Sequence, residues 1–344
     1  MSIAPVTLLP AAVSLGILTK SAAESSCDDV SGALQLATEL GGLATQPGSG
    51  STRDLWQALA TIASSDLGAA RAIEPHLDAL AILGQARFDP SSIEADSGTW
   101  GVFAAEGGND PLTATRIGDR WSLTGTKPWC SLADRLDHAL VTAHVADGER
   151  GLFAVDLGRP GVTVPPGQWH ARGLTEIPSG PVIFLDATAI PVGDPGWYLR
   201  RPGFAWGGIE VAACWYGGAI GLGRTLYTAA GAAPEPLMAA HLGAVDAHLQ
   251  SSRRALAEAA DLVDNQPDGL DPSILAKRVR ATVARDCELI LAHTAHALGP
   301  APLALDDAHA KRVADLQLYI RQHHAEKDDA SLGAALARLE SVPW

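Results

Sequence analysis

Two segments of the sequence carry side chains whose types suit proton transfer. His323 and His324 are adjacent, and an imidazole can act as an acid or a base near neutral pH. Glu210 stands in the apolar stretch 207–213, where a carboxylate is costly to bury without a partner. Each also has a plainer interpretation, as polar residues at an exposed helix end or as a salt-bridged carboxylate on a helix surface. The sequence thus offers an imidazole and a carboxylate as alternative bases.

The histidine pair does not have the spacing of a metal site. Neighbouring residues on a helix point about 100° apart, whereas helical metal sites use histidines four positions apart. The cysteines stand at positions 27, 130, 214 and 287, without a CxxC pair and with gaps too irregular for a zinc ribbon or finger. We therefore expect no metal site, and we interpret the cysteines as free thiols of a reducing cytoplasm.

An aromatic ring and a hydroxyl stand two residues apart, at Trp129 and Ser131. Positions two apart share one face of a strand, so both side chains can contact a single flat ring. The competing interpretation is a core tryptophan followed by a serine in a turn. Residue types alone leave both interpretations open.

The net charge of the chain argues against some classes of binding partner. It has 25 Lys or Arg against 39 Asp or Glu, a formal net charge of −14, and a pI of about 5.1. Nucleic-acid binders need a basic face to neutralise phosphates, and anionic membranes attract basic segments. We therefore expect no nucleic acid and no membrane as partner, whereas enzymes with small-molecule ligands remain open.

The chain has enough apolar residues for a large core. Its apolar runs are too short to span a membrane. Hydrophobic residues make up 47% of the 344 residues, and no run of about 18 apolar residues occurs. The apolar stretch from Pro5 to Leu18 has no Lys or Arg before it and is interrupted by Pro10 and Gly16. We interpret it as a buried N-terminal helix rather than a signal peptide, and we expect a cytoplasmic protein.

The elements that must position these side chains fall into three regions. Residues 1–96 have helical spacing, residues 97–199 contain short strands separated by turns, and residues 200–344 are helical again. Short strands without intervening helices predict an antiparallel barrel or sandwich. The last region predicts helices packed as an antiparallel four-helix bundle, and their ranges are 204–231, 235–264, 271–298 and 307–340.

The glycines at positions 217, 218, 221 and 223 fall inside the first of these predicted helices. A dinucleotide-binding glycine motif follows a strand, and no strand precedes these residues. We predict instead that they allow a close approach of another helix.

The middle region carries a specific motif. Residues 117–131 read IGDRWSLTGTKPWCS and resemble the G-x-x-W-x-L-x-G-x-K-x-W-x-[ST] hairpin of the acyl-CoA dehydrogenase family. Residues 185–192, LDATAIPV, resemble the F-D-x-V-x-V-P strand end of that family, and residues 311–319 resemble its final helix. The order of a helical, a β and a second helical region is also that of the family, and the resemblance extends from about Thr52 to Leu336.

The resemblance implies an α+β fold with an N-terminal helical domain, a central antiparallel β-barrel and a C-terminal four-helix bundle. It implies FAD bound between the barrel and the bundle, in a homodimer or homotetramer. In the family, a base takes the α-proton of an acyl-CoA thioester while flavin N5 takes the β-hydride. The reduced flavin then passes its electrons to an electron-transfer flavoprotein.

The resemblance also assigns cofactor-binding residues. They are Trp100, Val102, Phe103, Trp129, Cys130, Ser131 and Gly299. Trp129 matches the aromatic residue packed on the isoalloxazine, and Ser131 matches the hydroxyl beside flavin N5. Gly299 is the glycine kept from a Gly-Gly-x-Gly turn of the family.

The catalytic base departs from the family pattern. The position of the usual Glu aligns with His323, followed by His324, and Glu210 lies within about one position of an alternative base site on the first bundle helix. The Arg-x-x-Phe-Gly segment that grips the FAD diphosphate is also missing from the region 232–241. Arg224, Arg253 or Arg254 are candidates to replace its arginine, because a guanidinium pairs a phosphate bidentately.

Three functions follow from the resemblance and these departures. The first is FAD-dependent α,β-dehydrogenation of an acyl thioester, with His323 or Glu210 as base. The second is a flavin-dependent monooxygenase on the same fold, supplied with reduced flavin by a flavin reductase. The third is a flavin-free, non-catalytic homologue. The basic pair Arg200-Arg201 is a further candidate to contact an anionic ligand.

Overall fold

The computed structural model describes residues 3–9, 15–25, 29–44, 46–93, 98–118, 120–232 and 235–344. The helices are α1 (Ile17–Glu24), α2 (Val30–Gly41), α3 (Thr52–Ser65), α4 (Leu67–Ala86), α5 (Trp197–Arg200), α6 (Pro202–Ala232), α7 (Pro236–Asn265), α8 (Pro272–Leu298), α9 (Ala301–Leu305), α10 (Asp307–Tyr319) and α11 (Glu326–Leu336). The strands are β1 (Trp100–Phe103), β2 (Thr113–Ile117), β3 (Arg120–Lys127), β4 (His138–His144), β5 (Arg150–Asp156), β6 (Val162–Thr163) and β7 (Val182–Pro191). Cys27, Asp119 and residues 233–234, which the sequence analysis used, lie outside the described residues.

The strands form one sheet that closes into a barrel. The ring runs β4–β2–β3–β7–β5 and returns to β4 through the β4–β5 pairing. Strand β1 adds to β4 in parallel, and β2 meets β4 in parallel at Thr113 and His144. The predicted barrel is present, but its pairing is mixed rather than antiparallel throughout. Strand direction depends on the course of the connecting chain, which an alternating apolar pattern does not report.

The sequence of β2 does not itself predict a strand, and its burial explains why. Of its five residues only Ala114 is buried, so the strand lacks the apolar alternation that marks a half-buried strand. It is held instead by pairing with β3 along its whole length, from Thr113–Thr124 to Ile117–Arg120. The hairpin motif therefore forms one continuous two-stranded ribbon.

The N-terminal helices pack against one another, and α4 also contacts strand β1. Within the region 1–96, which is predicted to be helical, α3 and α4 are separated at Asp66, whose carboxylate accepts a hydrogen bond from the Ala69 amide and so begins α4. The expected helix over Pro5–Leu18 is wrong in part, because residues 3–9 are not helical and α1 begins only at Ile17. In the described ranges, no helix combines the length and the apolar character that crossing a membrane requires.

His76 joins α4 to the first strand. Its Nδ1 accepts a hydrogen bond from the Trp100 amide at 3.1 Å, and the ring is buried. Burial lowers the pKa of His76 to about 4. The ring is therefore neutral in the folded protein at neutral pH, because a proton on Nδ1 would break this bond.

We expect the His76 contact to make folding sensitive to acid. The folded-state pKa lies below the ordinary value, so the stabilisation is complete above pH 6.5 and is lost as the pH falls toward 4. Compared with His76→Asn, whose amide oxygen can accept the same bond, the wild type should lose about 3 kcal/mol over this interval. Urea unfolding of both proteins at several pH values measures this difference, and a constant difference would contradict the assignment.

The C-terminal helices α6, α7 and α8 pack against one another, and α10 lies along α6. The predicted helix over 307–340 is wrong as a single element. It divides into α10 and α11, with a 3₁₀ turn over Ile320–Gln322 and a left-handed backbone at Ala325, φ +47°. This break, rather than a helix end, carries His323 and His324.

The glycines of α6 confirm the predicted close packing of helices. A Cβ at Gly217 would lie 2.3 Å from the backbone oxygen of Ala60 in α3. A Cβ at Gly223 would lie 2.9 Å from the Leu249 side chain in α7. These contacts bring α6, which carries Glu210, directly against its neighbours.

Candidate functional site

The loop after β3 exposes one of the predicted flavin-contacting residues and buries another. Strand β3 ends at Lys127, and Trp129 has a left-handed backbone with φ +60°. Its indole is 59% exposed and lies edge-on to Trp169 at a centroid distance of 6.4 Å. Ser131 is buried. The two residues therefore do not share a strand face as expected: Trp129 forms an exposed platform, and Ser131 lies inside the protein.

Cys130, between them, is fixed within the protein. Its amide donates to the Gly180 carbonyl at 2.9 Å, and its thiol donates to the Lys127 carbonyl at 3.2 Å. Burial raises the pKa of the thiol to about 12. Its backbone bonds help to fix the loop that carries Trp129 and Ser131.

The hydroxyl of Ser131 has two hydrogen-bond partners within the protein. It accepts a hydrogen bond from Nη2 of Arg71 at 3.0 Å and lies 2.7 Å from the hydroxyl of Ser179. Either hydroxyl can be the donor in that contact. When Ser179 donates its single proton to the Ile177 carbonyl at 3.1 Å, Ser131 donates to Ser179 and keeps one lone pair for a further hydrogen-bond donor.

Strand β1 completes the surroundings of Ser131. Trp100, Val102 and Phe103 line a cavity of about 10 Å³ together with Ser131 and Arg71, which is room for about one water molecule. The structure thus brings together four of the residues that the resemblance assigned to the cofactor. Gly299 does not line this cavity: it ends α8 with φ +66°, and its amide bonds back to Ala295.

A buried group of ionisable side chains lies behind this cavity. One face of α4 presents Arg71, Glu74 and Asp78, and α6 presents Glu210. Glu210 is 1% exposed, and its Oε1 has no hydrogen-bond partner in the described structure. Burial, followed by the charges of Asp78 and Glu74, raises the pKa of Glu210 well above its usual range. Burial therefore favours the protonated form of Glu210, which can donate a hydrogen bond.

Glu74 is a functional candidate that the sequence analysis missed. Burial raises its pKa to about 7, opposed by the charge of Arg71, whose Nη1 lies 3.3 Å from Glu74 Oε2. A group that titrates near neutral pH in an enclosed site is suited to proton transfer. The spacing of positions 71, 74 and 78 would have indicated it, because three charged residues share one face of an otherwise apolar helix.

His323 is buried in the break between α10 and α11. Its Nδ1 accepts a hydrogen bond from the Ala325 amide at 3.2 Å, so the neutral ring carries its proton on Nε2. That nitrogen is buried without a hydrogen-bond partner among the described residues and lies 3.9 Å from Asp328 Oδ2. Burial lowers the pKa of His323. The ring therefore offers an N–H donor rather than a basic lone pair.

His324 points in another direction from its neighbour. Its side chain is 66% exposed, and Nδ1 lies 3.6 Å from Asp328 Oδ1. The structure thus separates the adjacent histidines into one buried ring and one solvated ring.

Arg280 of α8 connects the two segments that carry the candidate bases. Its guanidinium donates to the carbonyls of Gly208 at 2.7 Å and Gln322 at 2.9 Å. It also lies over the ring of Trp215, 4.7 Å from the centroid. One side chain therefore fixes the α6 turn before Glu210 and the residue before His323.

Two of the three arginines considered for a phosphate, Arg224 and Arg253, have partners within the protein. Arg224 donates to the hydroxyl of Ser64 and the carbonyl of Ala4, and Arg253 donates to the carbonyl of Leu8. Both hold the N-terminal segment 3–9 against the helices. Of the pair at 200–201, the second guanidinium is buried and donates to Gln85.

Three carboxylates elsewhere in the structure lie close enough together to ligate a metal ion, but a lysine ammonium already lies among them. In the described ranges this group comprises Asp66, Glu176 and Asp315. The ammonium of Lys311 lies 3.3, 2.6 and 2.6 Å from their oxygens. We therefore interpret the cluster as an ionic clamp that joins α4, the loop before β7 and α10.

Comparison with protein-family models and with curated proteins finds no match. Solved structures do match. Butyryl-CoA dehydrogenase from Megasphaera elsdenii is 17% identical over 90% of this chain and 90% of its own, with a TM-score of 0.77. Nitrososynthase from Micromonospora carbonacea var. africana is 18% identical over 95% of each chain, with a TM-score of 0.74. TdsC from Paenibacillus sp. A11-2, solved with FMN and indole, is 19% identical over 90% of this chain and 88% of its own, with a TM-score of 0.73.

These neighbours confirm the fold that the hairpin motif implied. Their structures match this chain over most of its length. They include a dehydrogenase, a nitrososynthase and TdsC. At such low identity they establish architecture and leave the reaction to be argued from the site. The chain has the fold of the acyl-CoA dehydrogenases.

Proposed function

We propose that this protein is a flavin-dependent oxidoreductase whose ring site is formed by Trp129, Ser131 and Arg71. An exposed indole offers an apolar face on which a flat ring can stack. A buried hydroxyl with a free lone pair lies nearby, and a guanidinium adjoins that hydroxyl. The exposed face of Trp129 suits the ring of a flavin, which would supply the redox chemistry when bound. The cavity at Ser131 has room for about one water molecule, so only an edge atom of such a ring would meet that hydroxyl.

The observation that carries the proposal is the direction of the hydrogen bonds at Ser131. In the arrangement in which Ser179 donates to the Ile177 carbonyl, the Ser131 proton is directed to Ser179, and the Ser131 hydroxyl can accept a further bond but not donate one. Oxidised flavin presents an acceptor at N5, whereas reduced flavin presents an N–H there. The arrangement therefore suits reduced flavin, as expected for a monooxygenase supplied with reduced flavin by a partner reductase.

The protonation of the buried groups favours the same reaction. Dehydrogenation of an acyl thioester requires a base beside the substrate, yet burial favours the protonated form of Glu210 and His323 presents an N–H. Both can donate hydrogen bonds to an oxygen-bearing reactant and can exclude water from it. We therefore place oxygen-dependent chemistry on a small organic substrate ahead of acyl-CoA oxidation.

We propose FMN as the form of the cofactor to test first. FAD would add a diphosphate and an adenosine that need further partners. The described candidates Arg224 and Arg253 already bond to the N-terminal segment. The matched TdsC structure contains FMN. FAD remains a proposal, as does a homodimer or homotetramer that would contribute residues to it.

Oxygen uptake tests the proposed function. The purified protein is supplied with FMN, a flavin reductase and NADH, and oxygen consumption and hydrogen peroxide are measured. Protein that lowers the yield of free peroxide relative to the reductase alone supports the proposal, because reduced flavin has been withdrawn from solution. Unchanged peroxide yield, together with no binding of either flavin, contradicts it and leaves the non-catalytic homologue.

Dehydrogenation is the second candidate, and Glu74 is the observation that favours it. With a pKa of about 7, Glu74 is ionised in about half of the molecules at neutral pH and could accept a proton. Anaerobic addition of acyl-CoA to flavin-loaded protein separates the two reactions. Bleaching of the flavin absorbance without oxygen supports dehydrogenation, with an electron-transfer flavoprotein as the proposed acceptor.

Replacing Trp129 by alanine should weaken flavin binding about tenfold. The change removes the exposed ring on which the flavin would stack, a contact worth about 1–3 kcal/mol. Trp344→Ala is the matched control, because Trp344 is 89% exposed at the chain end. Quenching of flavin fluorescence gives both dissociation constants, and equal values would remove Trp129 from the site.

A further inference from the structure

A second cavity lies between α6, α7 and the N-terminal segment 3–9. Its volume is about 810 Å³, which is within the range of small-molecule binding sites. Among the described residues, it shares no lining residue with the small cavity at Ser131. It is therefore large enough for a ligand of its own, separate from the proposed flavin site.

The wall of this cavity is an elongated apolar groove. Because only a short connection separates the end of α6 from the start of α7, the two helices run antiparallel. Tyr216 and Arg253 therefore lie at one end of the groove, and Tyr227 and Leu242 lie at the other. The eleven positions from Tyr216 to Tyr227 span about 16 Å of helix. The apolar lining between these ends comes from both helices and from the N-terminal segment, and includes Val6, Leu9, Ile220, Val245 and Leu249.

The end of the groove at Tyr216 carries hydrogen-bond donors without partners. Tyr216 is 2% exposed, and its hydroxyl has no hydrogen-bond partner in the described part of the chain. Burial raises the pKa of Tyr216, opposed by the charges of Arg253 and Arg224, so the phenol keeps its proton. The described hydrogen bonds of Arg253 use Nε, to Gln250, and Nη1, to the Leu8 carbonyl. Its Nη2 therefore has two further N–H groups to donate.

This end of the groove is also positively charged within an acidic protein. Two guanidiniums, of Arg224 and Arg253, belong to the lining, and Asp246 is the one acidic residue among the described lining residues. Asp246 is exposed to solvent, where its charge is screened. The chain as a whole has a net charge of −14. A local cationic site of this kind attracts anions despite the charge of the whole protein.

We propose that this groove binds a carboxylate with an apolar body, whose carboxylate accepts hydrogen bonds from Arg253 Nη2 and the Tyr216 hydroxyl. Two donors, one of them on a guanidinium, match the two oxygens of a carboxylate. The apolar body lies along the groove toward Tyr227 and Leu242, where it is removed from water. This site is a second ligand site and does not depend on the proposed flavin chemistry.

The test compares ligands that differ in charge or in apolar length. Isothermal titration calorimetry at pH 8 gives dissociation constants of the purified chain for 4-butylbenzoate, for the neutral amide 4-butylbenzamide, and for benzoate. The carboxylate should bind about tenfold or more tightly than its amide, because hydrogen bonds to a charged group are the stronger ones. Benzoate, which lacks the butyl group, should bind about tenfold or more weakly than 4-butylbenzoate.

Three variants separate the two parts of the site. Arg253→Gln should lower the preference for the carboxylate over the amide about tenfold, and Tyr216→Phe should lower it about threefold or more. Leu242→Ala should weaken both ligands and leave their ratio unchanged, because it removes only apolar contact. A purely structural role of Arg253 would weaken both ligands equally.

Arg254→Gln is the matched control. Arg254 is the next residue of α7, is exposed, and does not line the cavity, so the same change in net charge occurs outside the groove. Its ratio should equal that of the wild type. If Arg253→Gln does not fold, as judged by circular dichroism, Arg253→Lys and Tyr216→Phe decide, and Arg253→Lys should keep part of the preference.

The outcomes are distinct from those of the flavin experiments, because no flavin is added. Wild type that binds none of the three ligands, or that binds the amide as tightly as the carboxylate, overturns the proposal. An unchanged ratio in Arg253→Gln overturns it as well, and so do equal losses in Arg253→Gln and Arg254→Gln. Protein that binds no flavin but prefers the carboxylate contradicts the proposed function and supports this site.

Discussion

Replacing Gly217 by valine is expected to destabilise the protein by about 3 kcal/mol or more. A Cβ at this position would lie 2.3 Å from the Ala60 carbonyl oxygen and 2.7 Å from the Ala63 Cβ. The first neighbour is backbone of α3, so the clash cannot be relieved by turning a side chain. The two helices would have to separate along their contact, and a lower midpoint of thermal unfolding measures the loss.

The clash caused by Gly217→Val should also affect the candidate site. Gly217 lies on α6 seven positions after Glu210, about two helical turns along the same face. Separation of α6 from α3 would admit water toward Glu210 and reduce the burial that raises its pKa.

Gly243→Ala is the control for this substitution. Gly243 lies inside α7, and a Cβ there would meet no atom within 4 Å. Alanine should therefore stabilise the helix by about 0.5–1 kcal/mol through its better helix propensity. If Gly217→Val were as well tolerated as Gly243→Ala, the close contact of α3 and α6 would be wrong.

Replacing Arg280 by methionine should cost about 3 kcal/mol. Methionine fills much of the same space but leaves the carbonyls of Gly208 and Gln322 without their donor, and it removes the cation from the face of Trp215. Because the charge of Arg280 also lowers the pKa of Glu74, that pKa should rise further in the variant. Urea unfolding measures the first effect, and the pH dependence of stability measures the second.

Arg285→Met tests whether the effect belongs to Arg280 or to any arginine of α8. Arg285 pairs with Asp329 at 2.6 Å on the surface, where the side chains are 58% and 39% exposed. Exposed pairs contribute little, so a change within about 0.5 kcal/mol is expected. Equal losses in the two variants would contradict the connecting role of Arg280.

The sequence predicts the architecture because the relevant signals are local. The hairpin at 117–131 and the apolar spacing of the long helices each depend on residues close along the chain. The closing of the barrel and the parallel pairing of β1 with β4 depend on contacts between distant segments. Strand β2 escapes prediction for a similar reason, since its partner strand stabilises it and its own residues remain exposed.

The candidate site is harder to predict from the sequence, because the protonation of its side chains depends on their burial. His323 and Glu210 could be named from their positions, but their protonation depends on hydrogen bonds and neighbours that only the fold supplies. Glu74 and Arg71 do not belong to any of the sequence motifs of the chain. They become candidates because α4 packs against the barrel and because Ser131 lies opposite.

The enclosed cysteines have a consequence for resistance to oxidation. Cys130, Cys214 and Cys287 are free and buried, and burial raises the pKa of each thiol. Peroxide attacks the thiolate rather than the thiol. These three side chains should therefore stay reduced when hydrogen peroxide, the by-product of the proposed reaction, is present. Within the described chain, the same packing that builds the core protects its sulfur atoms from the by-product of the proposed reaction.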